Sequence, residues 1–186
     1  MMNLEDIECI RKVRSGDIGA FAVIVDRYKA IVFNIVCKII NDRQHAEDIT
    51  QDVFIKVFRS LGKFKEKSKF STWLYSITYN TTISAIRKIK SRCIIFNDSL
   101  QDAENSELLD ELDAVSKEEK LKCLEQVLKQ MPVEDSLLIT LHYIEEQPVA
   151  SVAEITGLSQ SNVKIRLYRI RKYMNFEINK LLKKDE

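Results

Sequence analysis

Residues 20–40 read AFAVIVDRYKAIVFNIVCKII, and Phe21, Ile24, Val25, Tyr28, Ile31, Val32, Ile35, Val36 and Ile39 recur in them at steps of three and four. That spacing lines them along one side of a helix, which must be buried against something else. Asp17 is placed to cap this helix, and Asn41-Asp42 to stop it and start another. The next helix is expected from about Arg43 to Leu61, with Ala46, Ile49, Val53 and Val57 inward and Gly62 ending it. A basic stretch, Lys63 to Lys69, reads as a loop, after which Ser71 or Thr72 can cap a third helix running through Trp73 to about Lys90.

Further along, residues 97–119 are acidic and weakly apolar, with no sustained face to bury, so they read as a linker that is at least partly flexible. The Leu108-Leu109 and Leu112 cluster could form a short helix or dock on a partner within it. Beyond the linker, Leu121, Leu124, Val127 and Leu128 mark a helix ending near Met131-Pro132, Ser136 to Tyr143 marks another, and Pro148 suits a helix's first turn. Strand signals are scarce, and only 4 Gly and 2 Pro interrupt 186 residues. The expected fold is all-α: two small helical domains, 1–93 and 119–186, joined by an acidic linker at 94–118.

The net charge of +1 conceals a segregated pattern. Residues 1–91 carry 16 Lys+Arg against 10 Asp+Glu, residues 92–119 carry 2 against 9, and residues 120–186 carry 11 against 9. Two basic segments flanking an acidic one are compatible with nucleic-acid binding, and equally with solvated faces on an ordinary helical protein. Cys9, Cys37, Cys93 and Cys123 form no C-x-x-C pair, and His45 and His142 join no ligand cluster. No metal or other cofactor is therefore expected, and the thiols are expected to be free and mostly buried. No nucleophile-base pairing, carboxylate cluster or Gly-rich phosphate loop marks catalytic residues, so an enzyme is the least favoured class. No apolar run resembles a signal peptide or a membrane span, so no membrane insertion is expected and the cytoplasm is the expected compartment.

Two stretches point to function. In the first, Val149 to Val163, Ala153 permits a close helix crossing and Gly157 can take the left-handed conformation of a tight inter-helix turn. Ser159 can then cap a helix whose buried stripe is Val163, Leu167, Ile170 and Met174. Lys164, Arg166, Arg169, Arg171 and Lys172 stand around the rest of that helix, available to phosphates, while Gln160, Ser161, Asn162 and Lys164 include types that hydrogen-bond bases. The bland alternative is an αα-hairpin with a solvated basic face. In the second stretch, Lys63, Lys65, Lys67 and Lys69 lead directly into Phe70, Ser71, Thr72, Trp73, Leu74 and Tyr75. Amines that hold a backbone beside rings that stack suit single-stranded nucleic acid, although Phe70 and Trp73 are also ordinary core residues.

The run Ala46-Glu47-Asp48-Ile49-Thr50-Gln51-Asp52-Val53-Phe54 resembles the A-E-D-x-x-Q-x-x-F signature of sigma region 2.2. Residues Phe70 to Asn80 resemble regions 2.3 and 2.4, and residues 145–171 resemble region 4.2. The chain thus resembles the extracytoplasmic-function group of bacterial RNA polymerase sigma factors. His45 and Phe58 stand where that group often has Asp and Trp. The resemblance implies a first domain that binds core RNA polymerase, at the clamp of its β′ subunit, through Glu47, Asp48, Gln51, Asp52 and Phe54. It implies contacts to the minus-ten promoter element by Lys63, Lys65, Lys67, Lys69, Phe70, Ser71, Thr72, Trp73, Tyr75, Asn80, Arg87 and Lys88. It implies contacts to the minus-thirty-five element by Ser159, Gln160, Ser161, Asn162, Lys164, Arg166, Arg169 and Arg171. The β flap of the polymerase, promoter DNA and an anti-sigma factor complete the implied partners. A helix-turn-helix repressor or activator working without polymerase would explain residues 145–175 but neither of the first domain's motifs, and a helical scaffold or adaptor would explain only faces and charges.

Overall fold

Residues 4–40, 42–92 and 117–182 are described by the computed structural model, and their regular structure is helical. In chain order the elements are α1 (Leu4–Arg14), α2 (Ala20–Cys37), α3 (Arg43–Ser60), one 3-10 turn (Leu61–Lys63), α4 (Phe70–Arg92), α5 (Lys117–Gln130), α6 (Val133–Ile139), α7 (Val149–Thr156) and α8 (Gln160–Leu182). A π turn, Thr140–Ile144, extends α6. Most of the expected linker and its leucine cluster lie outside the described residues. Its last two positions, 117 and 118, already belong to α5.

The periodicity of residues 20–40 does what a one-sided pattern must. Ile24, Tyr28 and Val32 of α2 meet Val53, Phe54 and Val57 of α3 and Phe70 and Leu74 of α4 in one buried cluster. Burying each such side chain contributes about 1.5–3 kcal/mol, so the cluster dominates the energetics of this unit. Asp42 caps α3 by accepting from Gln44 N at 2.9 Å, and Asp17 Oδ1 accepts from Ala20 N at 3.3 Å where α2 begins.

Helix α1 escaped the sequence reading, although Ile7, Ile10 and Val13 keep a three-residue step. Ile10 enters the same cluster fully buried. A polar lock fastens α1 to α2: buried Asp6 accepts from the Tyr28 hydroxyl at 2.6 Å and from Arg27, whose other amine reaches Glu5 at 2.7 Å. Burial, and then the Asp6 hydrogen bond, push the Tyr28 hydroxyl's pKa well above the usual phenol value.

In the second half, Val163, Leu167, Ile170 and Met174 of α8 face Val152, Ala153 and Ile155 of α7 and Leu137, Leu138 and Leu141. Gly157 ends α7 at φ 74°, and its N–H bonds the Ala153 carbonyl at 2.9 Å. The two halves share one apolar cluster, because Tyr75, Tyr79 and Ile83 of α4 and Ile35 of α2 join these residues. The cysteines Cys9, Cys37 and Cys123 are free but half-buried, more accessible than their residue type leads one to expect.

Candidate nucleic-acid interface

Three surfaces carry the residues singled out in the sequence. On α3, Asp48, Gln51 and Asp52 are exposed on one face. Ile55, 46% exposed, continues that face at the next turn, so an acidic and amide patch carries an apolar centre. Ile55 was not singled out, although its place three and four residues after Asp52 and Gln51, off the inward stripe, was available as a signal. Glu47 is half-buried and bonded to Arg43 at 3.1 Å. Phe54 is buried in the core of its own unit, so it supports the patch from beneath rather than anchoring a partner.

The second surface is the loop from Leu61 to Lys69. Leu61 and Phe64 are buried and Glu66 turns toward α1, while Lys63, Lys65, Lys67 and Lys69 all face solvent. Of the rings that could stack on bases or pack in the core, Phe70 takes the core place and helps form the loop's floor. Phe70 is 4% exposed and contacts Tyr28, Phe64 and Trp73 at centroid distances of 5.6, 5.7 and 5.8 Å. Thr72 is buried as well, which leaves half-buried Trp73 and Ser71 as the partly accessible members of that motif. Aromatic area in a basic segment reads alike whether it floors a loop or meets a base, and packing decided for the floor at Phe70.

Further along α4, Asn80 is exposed, with its amide donating to the Ser76 carbonyl at 2.8 Å, and Arg87 and Lys88 are exposed too. Tyr75 is covered by the second half of the chain. Burial, reinforced by the charge of Glu145, raises its hydroxyl pKa to about 12. Arg87 reaches Glu134 across the same junction at 3.5 Å. Burial likewise raises the pKa of Tyr79, with Glu134 adding to the effect and Arg166 opposing it.

The third surface is α8. Ser159 caps it by accepting from Asn162 N at 3.2 Å, and Gln160, Ser161, Asn162, Lys164, Arg169 and Arg171 are exposed. Exposed Ile165 and Tyr168 lie among them, and Lys172 stands 5.1 Å over the Tyr168 ring. Arg166 departs from the expected pattern. Its guanidinium bonds Asp135 of α6, through Nε at 3.0 Å and through Nη2, so the charge ties α8 to α6. Asp135 is 5% exposed, and a carboxylate buried that deeply needs such a partner. Among the described residues no group of three His, Cys, Asp or Glu side chains could hold a metal ion.

With that geometry in view, the likeness to known proteins is specific. Residues 24–92 match the family description Sigma-70 region 2, and residues 121–174 match Sigma-70, region 4. The chain is 31% identical over 180 residues to the ECF RNA polymerase sigma factor SigW of Bacillus subtilis, covering 92% of this chain and 96% of that protein. It is 27% identical over 188 residues to the ECF RNA polymerase sigma-E factor of Escherichia coli K12, covering 97% and 98% respectively. In fold it is similar to CnrH solved with the cytosolic domain of CnrY, at TM-score 0.65 and 19% identity, covering 98% of this chain and 99% of that one. It is also similar in fold to the sigma factor RpoE solved with the anti-sigma factor NepR from Bartonella quintana, at TM-score 0.63 and 20% identity, covering 89% and 98%.

Proposed function

Because this chain belongs to the extracytoplasmic-function family of RNA polymerase sigma factors, we propose that α3 docks it on the polymerase clamp, the 61–69 loop holds the opened minus-ten strand, and α8 reads the minus-thirty-five duplex. As a sigma factor it binds core RNA polymerase and promoter DNA to start transcription, and it is not an enzyme. The rival repressor or activator acting without polymerase is set aside by the match over residues 24–92, which a duplex-binding regulator has no reason to carry.

The division of labour follows from what each surface can do. The α3 patch is acidic with an exposed isoleucine, suited to a basic partner surface that also offers apolar area. The loop presents four amines on a rigid aromatic floor, and amines stabilise the charged backbone of a strand that has left the duplex. Extruding a base costs a few kcal/mol, which such contacts must offset. The α8 surface presents polar side chains at a capped helix N-terminus flanked by Lys164, Arg169 and Arg171, the arrangement by which a recognition helix enters a major groove. Two modest DNA contacts joined through one chain reinforce each other by effective concentration. The β flap and an anti-sigma factor complete the proposed partners. A role on polymerase supports a cytoplasmic location. Among the described residues no helix is long and apolar enough to cross a membrane.

The observation that carries the reading is the outward presentation of Lys63, Lys65, Lys67 and Lys69 while Leu61 and Phe64 are buried beneath them. Replacing Lys65, Lys67 and Lys69 with alanine tests it. Core binding is expected to persist, and permanganate reactivity of unpaired thymines is expected to fall about tenfold or more, the loss of about 1.4 kcal/mol of open-state stabilisation. A promoter with a pre-melted bubble should recover much of the transcription. Opening of a linear duplex at the wild-type rate would remove the loop from the melting step.

A further inference from the structure

The lysine loop is held in shape from outside its own segment. Arg14 is the last residue of α1, and its acceptors lie 47, 50 and 52 residues away. Nε and Nη2 donate to the Leu61 carbonyl at 3.3 and 3.0 Å, and Nη2 also donates to the Phe64 carbonyl. Nη1 donates to Glu66 Oε1 at 3.1 Å, and Arg11 stands 3.9 Å from the other Glu66 oxygen. The Leu61 carbonyl also accepts from Phe64 N at 3.2 Å, and the planar guanidinium adds donors that join this carbonyl, the Phe64 carbonyl and the Glu66 carboxylate through one group.

Glu66 adds a second observation. Its φ is 57°, a left-handed conformation that side chains with a Cβ resist. The reversal there turns the glutamate inward between Lys65 and Lys67, and its ion pairs to Arg14 and Arg11 hold it so. Burial of Leu61 and Phe64 in the apolar cluster fixes the loop's first half, and the clamp on Glu66 fixes the reversal between Lys65 and Lys67.

We propose that Arg14 is a positioning residue for the loop, setting its shape before DNA arrives and thereby setting which unpaired base it accepts. This rests on the loop's proposed role in handling the minus-ten strand. A loop ordered in advance pays less to bind, and a fixed shape discriminates among bases where a loose one adapts to each.

The test uses holoenzyme carrying Arg14→Gln on promoters bearing every single-base change in the minus-ten element. Hydrogen exchange at the 61–69 amides is expected to quicken about tenfold or more while α2 and α3 keep their protection, the signature of a freed loop in an intact unit. Open-complex formation on the best promoter should fall about tenfold, and the ratio between best and worst base should collapse toward one. A pre-melted bubble should recover the rate but not the ratio. Unchanged loop exchange, or faster exchange with the base ratio intact, overturns the proposal. If Arg14→Gln does not assemble with core, Arg14→Lys, whose ammonium cannot span the same acceptors, is read by the same two measurements with the same expected results. The lysine-to-alanine variant separates the two readings. Normal opening by that variant overturns the loop's role and this inference together, whereas a defective lysine variant beside a normal Arg14→Gln overturns this inference alone.

Discussion

Replacing Arg166 with alanine separates a structural arginine from a DNA-binding one. The substitution leaves the Asp135 carboxylate, whose side chain is 6% exposed, without the guanidinium that now bonds it, while Arg166 itself is 31% exposed. Breaking a fully buried pair costs about 3–5 kcal/mol, and partial exposure of the arginine lowers the expected cost to about 2–3 kcal/mol. For a cooperative unit of this size each kcal/mol shifts the melting temperature by about 2–4 °C, so a fall of about 4–12 °C is expected by calorimetry or circular dichroism. Below that melting range, binding of the variant holoenzyme to a promoter dependent on the minus-thirty-five element should keep the wild-type salt dependence. Arg169→Ala should do the opposite, leaving the melting temperature in place and lowering the salt slope by about one. The double replacement Asp135→Leu with Arg166→Met should recover much of the lost stability, because the buried carboxylate that had lost its guanidinium has gone as well. An Arg166→Ala variant that melts with wild type and loses one unit of salt slope would refute the assignment and return Arg166 to the DNA.

Two further outcomes follow from the other surfaces. Asp48→Lys combined with Gln51→Lys should abolish capture by core polymerase in a pull-down with little change in melting temperature, since both positions are exposed; undiminished capture would move the docking surface elsewhere. Ile83→Glu places a charge in the apolar cluster shared by α4 and the second half of the chain, so small-angle scattering should record a larger radius of gyration, and an unchanged radius would mean the junction tolerates the charge. The Arg87–Glu134 pair at that junction is largely exposed and contributes about 1 kcal/mol at most, too little to hold it closed alone.

Sequence periodicity determined what is local. A face that must be buried repeats every three or four residues in any helical surrounding, so the inward residues of α3 and the α8 stripe were readable in advance, and Ala46, Ile49, Val53, Val57, Val163, Leu167, Ile170 and Met174 are all buried. The Gly157 turn and the Ser159 cap are local for the same reason: each depends on the residue's own backbone and near neighbours. The family was readable too, because its motifs are runs of neighbouring residues. The tertiary structure decided the rest, where two groups distant in sequence compete for one place. Arg166 and Arg169 look alike on a helical wheel, and only the arrival of Asp135 from 31 residues away commits one of them to the interior. Phe70 and Tyr75 sit in a motif that points to DNA, yet the packing of Tyr28 and Phe64 on the first and of the second half of the chain on the other buries them. Arg14 was one basic residue in a segment to which the sequence assigned no helix, until the chain's return brought Leu61, Phe64 and Glu66 within its reach. Periodicity specifies which side of a helix is buried, but not which long-range partner a charge or a ring will meet there.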